Sequence, residues 1–341
     1  MEKLGPKVKS GLALQRLNIT TQQWLISGQF RISRSSLTQI EVVSVEISDG
    51  AHKGRAECRP YARYNESAAS VTAQIDSIRE PIENGATPES LQGLLPAGAA
   101  RNAVDCALWD LRAKMRGESL SDMLGIAPPR ARQTAYTLSL DSPAKMGQAA
   151  IEAKNYPLIK IKIGAKDGLN ASLAVLKARP DVSLIIDANE ALAPGELKAF
   201  RAALSGKNVA MIEQPLPAKG FDKIDNDPSK LPIYCADESL HGIADLEPLW
   251  EAGYRAVNVK LDKCGGLSAA LALMQAAKAK GFTVMAGCMV GTSLAMAPMM
   301  ILEQFADYID LDGPLLLAKD IENGLKYEGA IIHPPNKALW G

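Results

Sequence analysis

Five short apolar segments of the sequence each end in a charged residue, and these residues recur at nearly even spacing. They are Lys162, Asp187, Glu213, Asp237 and Lys260, which lie 25, 26, 24 and 23 positions apart. A step of this length holds about one strand, one helix and two loops. The spacing therefore predicts a (β/α)₈ barrel that brings the five side chains together at the carboxyl ends of its strands.

Three of these residues are carboxylates that would follow adjacent strands. Asp187, Glu213 and Asp237 offer hard oxygen ligands, which Mg²⁺ prefers in its octahedral coordination. A single acid after a strand is more often a helix N-cap or a solvated loop charge. Because three acids occur in register, the sequence predicts one Mg²⁺ site with positions open to water or substrate.

Lysines flank the carboxylates on both sides. Lys160 and Lys162 share one face of their strand, and in a barrel that face is the interior. A buried ammonium group without a partner or a catalytic task is costly, so we predict that Lys162 is a catalytic base. Lys260 would reach the mouth four strands later, where the two lysines could move a proton across a carbon atom. Alternatively, Lys260 only neutralises a neighbouring carboxylate.

Length and charge limit the classes of function. The chain has 341 residues, enough for a barrel and a second unit. Its 38 basic and 38 acidic residues give no net charge, which argues against nucleic-acid binding and favours a small neutral or zwitterionic partner. The five cysteines form neither a disulfide nor a zinc pattern, and no stretch approaches the roughly 20 apolar residues of a membrane span. We predict a cytoplasmic protein without membrane association, and apolar-rich helices permit a homo-oligomer.

The periodicity of the sequence changes along the chain. Residues 40–47 alternate as an antiparallel strand does, and residues 68–125 have a helical period. Strand and helix patterns then alternate, and eight apolar runs favour a closed parallel sheet. The eight predicted strands are 134–139, 158–163, 183–187, 209–213, 233–237, 256–261, 282–287 and 307–311. We predict an α+β unit over residues 1–130, a barrel over 131–320, and a tail over 321–341 that returns to the first unit.

The motifs on these strands resemble the signature set of the enolase superfamily, in its muconate-lactonising subgroup. They are Lys160-x-Lys162, Asp187-x-Asn189, Glu213-Gln-Pro, Asp237-Glu-Ser and Asn258-x-Lys260, and residues 101–111 resemble a helix of that superfamily's capping domain. The resemblance implies an α/β fold, in which an N-terminal α+β capping domain covers a (β/α)₇β barrel (a modified TIM barrel). It also implies one Mg²⁺ per subunit that stabilises an enediolate, with Lys160 adding positive charge.

Within the subgroup, the chain most resembles dipeptide epimerases of the L-Ala-D/L-Glu type. Asp310-Leu-Asp312 matches the motif that holds the free ammonium group of a dipeptide in that family. A solvated turn would explain these two aspartates equally well. The resemblance assigns to Arg34, on the first loop, the side-chain carboxylate of the substrate's glutamate, for which a guanidinium is suited. It also offers Thr137 and Cys288 as residues that line the substrate pocket.

The resemblance implies epimerisation of a dipeptide, from L-Ala-L-Glu to L-Ala-D-Glu or the reverse. The reaction would be a 1,1-proton transfer between Lys162 and Lys260 through an enediolate intermediate. The same metal and lysines would serve an o-succinylbenzoate synthase or a muconate cycloisomerase, whose substrates carry no free ammonium group. A third reading is a Mg²⁺-dependent binding barrel without catalytic activity.

Overall fold

The first unit of the chain is an antiparallel sheet followed by helices. The structure, a computed structural model, describes residues 15–218, 223–224 and 232–341. Its first strands are β1 (Arg16–Ile32), β2 (Ser35–Ser48) and β3 (Lys53–Cys58), paired in the order β1-β2-β3. The helices are α1 (Ala68–Ser77), α2 (Arg79–Glu83), α3 (Pro88–Leu91), α4 (Ala99–Arg116) and α5 (Leu120–Leu124). This order agrees with the change of period in the sequence.

Helix α4 packs closely on the sheet. Val104, Leu108 and Leu111 are buried, and each such side chain contributes about 1.5–3 kcal/mol by leaving water. Gly54 of β3 lies so near the helix that a Cβ atom would come 2.1 Å from the carbonyl oxygen of Ala107. The helix ends at Gly117, whose φ of 65° is readily adopted only by glycine. The sheet and α4 thus form one packed layer pair.

Eight parallel strands form the second unit. A short strand, β4 (Arg132–Gln133), precedes them. The eight strands are β5 (Tyr136–Leu138), β6 (Leu158–Lys162), β7 (Ser183–Asp187), β8 (Val209–Glu213), β9 (Ile233–Ala236), β10 (Ala256–Val259), β11 (Thr283–Gly287) and β12 (Tyr308–Asp310). They pair in chain order, and a parallel bridge between Thr134 and Ile309 joins the two edges. Each predicted strand segment contains one of them, so the predicted α/β barrel with an N-terminal α+β unit is confirmed.

Helices connect most successive barrel strands. They are α6 (Pro143–Glu152), α7 (Gly168–Ala178), α8 (Pro194–Ala203), α9 (Leu246–Ala252), α10 (Leu261–Cys264), α11 (Leu267–Lys280) and α12 (Ser293–Ile301). Between β8 and β9 the residues that the structure describes contain no helix. After β12 a 3₁₀ turn over Gly313–Leu316 takes the place of a barrel helix. The chain therefore leaves the barrel after its eighth strand.

The tail contacts both units. Strands β13 (Tyr327–Glu328) and β14 (Ile331–Ile332) form a small sheet with β4. The Arg55 guanidinium donates to the Ala338 carbonyl at 2.9 Å, and the Gly341 N–H donates to Asp110 Oδ1 at 2.8 Å. The predicted domain limits at 130 and 320 stay predictions.

Polar contacts from α4 attach the first unit to the barrel beside the end of β10. The Arg101 guanidinium donates to the carbonyl oxygen of Cys264 at 2.7 Å, and Asn102 Nδ2 donates to Asp262 Oδ1 at 2.8 Å. Asp105 accepts from the N–H and the hydroxyl of Ser268 at 2.9 and 2.7 Å. These contacts place the end of β3 and the β1-β2 turn over the mouth of the barrel. Across the described ranges, the structure has no helix both long and apolar enough to cross a membrane.

Candidate active site

Strand register brings the predicted ligands together. Lys162 pairs with Asp187 across β6 and β7, and Asp187 pairs with Glu213 across β7 and β8. Asp237 directly follows β9, the next strand. Because parallel strands end at one edge of a sheet, all four side chains reach the same mouth.

Three buried carboxylates at this mouth form a candidate metal centre. One oxygen atom from each of Asp187, Glu213 and Asp237 lies within 4.8 Å of the others. Beside them, Asn189 Oδ1 and Glu238 Oε2 are buried without a hydrogen-bond donor among the described residues. Buried acceptors of this kind need a cation, a water or a ligand as partner. Three hard anionic oxygens with further acceptors at hand fit a Mg²⁺ ion and its water ligands.

The carboxylates differ in their electrostatic state. Burial raises the pKa of Glu213 to about 7, and the charge of Asp187 adds to the effect. Burial acts the same way on Asp187, but the ammonium groups of Lys162 and Lys160 outweigh it and lower that pKa. Burial would also raise the pKa of Asp237, but the ammonium groups of Lys260 and Lys263 outweigh burial and lower that pKa. Asp187 and Asp237 are thus anionic without a metal, whereas Glu213 gains most from one.

Lys160 is a fixed positive charge inside the barrel. Its Nζ atom lies 2.7 Å from both Glu213 Oε2 and Asp310 Oδ2, and 3.3 Å from Asp187 Oδ2. Burial opposes the charged form, yet the surrounding carboxylates raise the pKa of Lys160 well above its ordinary value. Such a group is suited to electrostatic stabilisation rather than to accepting a proton.

Lys162 and Lys260 contact different carboxylates of the metal centre. Lys162 Nζ lies 2.5 Å from Asp187 Oδ2, and Lys260 Nζ lies 2.7 Å from Asp237 Oδ2. Lys263 Nζ already holds the other oxygen of Asp237 at 2.7 Å. Asp237 therefore has a cationic partner besides Lys260, and simple neutralisation does not account for both lysines. The contacts place the two amines against different carboxylates of the group.

The predicted ammonium motif lies in the same cavity. Asp310 and Asp312 line it together with Thr137 and Cys288. The Thr137 N–H donates to Asp312 Oδ2 at 2.6 Å, while Asp310 Oδ1 is buried without a hydrogen-bond partner within the described part of the chain. Burial and the neighbouring Asp310 raise the pKa of Asp312 to about 6. Two close buried carboxylates favour a cation between them. Burial also raises the pKa of the Cys288 thiol, which is therefore not an activated nucleophile.

Arg34 differs from the other predicted site residues. Its guanidinium donates to Glu190 Oε2 at 2.6 Å, to Glu238 Oε1 at 2.7 Å and to the Asn189 carbonyl at 2.8 Å. It borders an outer groove rather than the cavity that holds the lysines. The structure thus places Arg34 near the metal centre with its donors already bound.

Two cavity residues carry a polar group that the sequence did not single out. Arg59 follows β3, and Tyr64 follows it on the same segment of the first unit. Both residue types often occur outside functional sites, so nothing marked Arg59 and Tyr64 without the fold. Only the docking of the first unit shows that they cover the barrel mouth.

Comparisons with known proteins agree with this arrangement. Residues 15–125 match the family described as mandelate racemase / muconate lactonizing enzyme, N-terminal domain, and residues 144–338 match the family described as enolase C-terminal domain-like. The L-Ala-D/L-Glu epimerase of Escherichia coli (strain K12) is 42% identical over 322 residues, which cover 94% of this chain and 100% of that protein. An N-acetyl-D-glutamate racemase of a Pseudoalteromonas species is 41% identical over 88% of this chain and 95% of its own.

A solved structure extends the similarity to the fold. It is an enolase family member from Agrobacterium tumefaciens with homology to dipeptide epimerases, crystallised with bound sodium and L-Ala-L-Glu. It superposes with a TM-score of 0.89 at 42% identity, covering 96% of this chain and 100% of that one. The similarity therefore includes both units.

Proposed function

Since the chain belongs to the mandelate racemase / muconate lactonizing enzyme family, whose barrel is enolase C-terminal domain-like, we propose that it is a Mg²⁺-dependent dipeptide epimerase. Its substrate would be L-Ala-L-Glu or L-Ala-D-Glu, inverted at the second residue. The observation that carries the proposal is that Lys162 and Lys260 contact different carboxylates of the triad, in one cavity with Asp310 and Asp312. The cytoplasmic location belongs to the same proposal.

The first requirement of the reaction is stabilisation of negative charge. Asp187, Glu213 and Asp237 would hold Mg²⁺, which would supply positive charge to stabilise the negative charge that develops as the α-proton leaves. Lys160 adds a second positive charge, held in place by its carboxylate partners. Burial of these groups strengthens their effect because the local dielectric constant is low.

The second requirement is proton transfer on both faces of one carbon atom. In the proposed reaction Lys162 takes the α-proton from one face and Lys260 delivers a proton to the other. In the reverse direction the two lysines exchange these roles. Positioned acids and bases of this kind contribute about 10²–10⁴-fold to a rate.

The third requirement is a fixed length of substrate. The carboxylates of Asp310 and Asp312 would bind the free ammonium group of a dipeptide, and so place its second residue between the lysines. N-acetylglutamate, the substrate that the Pseudoalteromonas racemase is named for, has a neutral amide at the corresponding end. Near a neutral acetyl group, Asp312 and the Oδ1 atom of Asp310, which Lys160 does not contact, would lack a cationic partner among the described residues. This favours the dipeptide over the acetylated amino acid.

Asp310 and Asp312 also count against the alternative reactions that the sequence left open. The substrates of o-succinylbenzoate synthase and muconate cycloisomerase bring no ammonium group to Asp310 and Asp312. A binding barrel without catalysis would not need Lys162 and Lys260 in contact with two different carboxylates of the triad.

Proton exchange in D₂O tests the proposal. The purified protein with Mg²⁺ is incubated with L-Ala-L-Glu or N-acetyl-L-glutamate, and loss of the α-proton signal is followed by NMR. We expect exchange at the second residue of the dipeptide, slower exchange with N-acetyl-L-glutamate, and none with the Lys162→Ala variant. Exchange of N-acetyl-L-glutamate alone would assign the racemase activity instead, and no exchange with either compound would refute the epimerase.

A further inference from the structure

The side chain of Gln214 joins the ends of two strands that carry metal ligands. Gln214 directly follows Glu213, the last residue of β8. Its Oε1 atom accepts from the backbone N–H groups of Asp237 and Ser239 at 2.9 and 3.1 Å. Its Nε2 atom donates to the Leu216 carbonyl and to Ser239 Oγ, both at 2.8 Å. The amide group therefore uses both its acceptor sites and both its donors.

The backbone at this position connects the third ligand strand to the other two. The Gln214 carbonyl accepts from the Glu190 N–H at 2.8 Å, and the Glu213 carbonyl accepts from the Ala188 N–H at 3.0 Å. Ala188 and Glu190 follow Asp187, the ligand at the end of β7. Hydrogen bonds made at or beside Gln214 thus connect the ends of β7, β8 and β9, and with them all three carboxylates of the candidate metal centre.

The backbone beside the ligands adopts a conformation that residues other than glycine rarely take. The φ angle is 34° at Gln214, 42° at Asn189 and 70° at Glu190. A non-glycine residue in this left-handed region is strained and persists only where surrounding contacts hold it. Strain of this kind is concentrated at functional sites. Its position, directly after Glu213 and just after Asp187, indicates that these hydrogen bonds serve the metal centre.

Gln214 is placed to act on the ligands and not on a substrate. Its side chain is completely buried, and the residues that line the cavity of Lys162 and Lys260 do not include it. Any effect on the reaction must therefore pass through the groups that Gln214 holds, which makes it a positioning residue.

We propose that Gln214 fixes the spacing of the metal ligands and thereby makes the site selective for Mg²⁺ over larger divalent cations such as Ca²⁺. The inference rests on the proposed function for its Mg²⁺ requirement, but not on which dipeptide is the substrate. Mg²⁺ needs near-ideal octahedral geometry with oxygen ligands at about 2.0–2.1 Å, whereas Ca²⁺ takes oxygen ligands at about 2.3–2.6 Å in flexible geometry. Ca²⁺ would need the carboxylates to move apart, and the hydrogen bonds of Gln214 oppose that movement.

Titration calorimetry of the metal-free protein with Mg²⁺ and with Ca²⁺ tests the proposal without turnover. Gln214→Met nearly keeps the length of the side chain and removes its four hydrogen bonds. We expect the Kd for Mg²⁺ to rise about 10- to 100-fold in this variant, as for other residues that orient metal ligands. The Kd for Ca²⁺ should change much less, because Ca²⁺ tolerates a looser set of ligands. The preference for Mg²⁺ should therefore shrink.

Two further variants separate ligand spacing from general stability. Gln214→Glu retains an oxygen atom for the N–H groups of Asp237 and Ser239. Its added charge attracts Mg²⁺ and Ca²⁺ alike, so the ratio of the two Kd values still reports the spacing, and we expect more of the preference for Mg²⁺ to remain than in Gln214→Met. Ser172→Ala is the control, because it removes a buried hydrogen bond of 2.8 Å within α7. It should leave both Kd values unchanged.

The ratio of the Kd values decides the outcome. Equal losses of affinity for the two ions in Gln214→Met would make Gln214 a structural residue and overturn the inference, and so would an unchanged Kd for Mg²⁺. If Gln214→Met does not fold, Ser239→Ala removes only the Oγ acceptor of Gln214 Nε2, and an unchanged ratio there would overturn the inference.

The same measurement distinguishes this inference from the proposed function. Wild-type protein that exchanges no dipeptide proton in D₂O would refute the epimerase. If that protein still prefers Mg²⁺ and Gln214→Met loses the preference, the role of Gln214 is supported. Wild-type protein that epimerises dipeptides but binds Mg²⁺ and Ca²⁺ equally well would refute the role of Gln214 alone.

Discussion

Lys160 Nζ lies 2.7 Å from Asp310 Oδ2, so the first aspartate of the Asp310-Leu-Asp312 motif is ion-paired with a buried lysine of strand β6. Asp312 has no such partner within the described part of the chain, and its Oδ2 atom accepts the Thr137 N–H at 2.6 Å. The two aspartates are therefore not equivalent. Asp312 can be neutralised without removing a counter-charge from Lys160.

Asp312→Asn should reduce activity on dipeptides specifically. The variant keeps an acceptor for the Thr137 N–H but loses the charge that we assign to the substrate ammonium. We expect kcat/KM for L-Ala-L-Glu to fall about 10- to 100-fold, with no comparable fall for N-acetyl-L-glutamate. Asp310→Asn serves as a control, because it also disturbs Lys160 and should impair both compounds. Equal losses of both compounds in Asp312→Asn would contradict the ammonium role.

Replacement of each catalytic lysine should stop inversion but leave half of the exchange reaction. Because Lys162 and Lys260 contact different carboxylates of the triad, each would serve one face of the substrate. In Lys162→Ala and Lys260→Ala we expect inversion to fall at least about 10²-fold. In D₂O Lys162→Ala, which should not exchange the α-proton of L-Ala-L-Glu, should still exchange that of L-Ala-D-Glu, and Lys260→Ala should show the opposite selectivity. Exchange of the same epimer by both variants would count against the two-base arrangement.

The repeated strand ends explain why so much of the site could be predicted from the sequence. A charged residue after each apolar run has one possible destination in a closed parallel barrel, so Asp187, Glu213 and Asp237 had to meet. Asp310 and Asp312 lie at the same mouth for the same reason, because Asp310 is the last residue of β12 and Asp312 follows that strand. The eight strand positions followed from apolar runs bounded by turns.

Contacts made by the first unit could not be predicted in this way. Arg34 and Arg59 both belong to segments over the mouth, and the sequence favoured Arg34 through family resemblance alone. Which arginine enters the cavity depends on how the first unit docks, and therefore on distant contacts such as Asn102 with Asp262. Local periodicity carries no information about such contacts. Most of the connection between β8 and β9, where strand spacing predicted a helix, lies outside the described residues.

Removal of divalent metal should abolish turnover and leave the protein folded. Lysines already neutralise the triad in part, since Lys162 and Lys260 pair with Asp187 and Asp237. We expect EDTA to stop the reaction and Mg²⁺ to restore it. Saturating Mg²⁺ should also raise the Tm, because a ligand at a hundredfold excess over its Kd adds about 2.7 kcal/mol to the free energy of unfolding. Glu213→Gln should lose both responses. The exposed-site variant Asp181→Asn should keep them, and an unchanged Mg²⁺ response in Glu213→Gln would argue against the predicted ligands.

Gly287→Ala should weaken the metal site through a neighbouring residue. A Cβ atom on Gly287 would lie 2.1 Å from Asn258 Oδ1, and Asn258 Nδ2 donates to Glu213 Oε1 at 2.8 Å. The new methyl group must displace Asn258, so Glu213 loses this donor, at a cost of about 1–3 kcal/mol. We expect a lower Tm and a higher Kd for Mg²⁺ by calorimetry. Gly195→Ala is the control, because nothing lies within 4 Å of its added Cβ atom; equal affinities in the two variants would contradict the mechanism.

Glu57 should make the stability of the protein depend on pH. It is fully buried between β3 and α12, where its Oε1 and Oε2 atoms accept from the N–H and the hydroxyl of Thr292 at 2.8 and 2.9 Å. Burial raises the pKa of Glu57 from 4.5 to about 7. The folded state therefore binds a proton more tightly than the unfolded state does. This contribution to stability is fully present below about pH 4.5 and is lost as the pH rises to about 7.

Glu57→Gln tests this dependence because its amide can keep both contacts with Thr292 while losing the titration. From the shift in pKa, the wild-type free energy of unfolding should fall by about 2.4 kcal/mol between pH 5 and 7.5 on account of Glu57. In the variant this part of the fall should be absent in urea titrations at the two pH values. Glu118→Gln, at an exposed carboxylate, should behave like the wild type. If Glu57→Gln loses as much stability as the wild type over this range, Glu57 is not the group that titrates, because a neutral amide has no proton to lose.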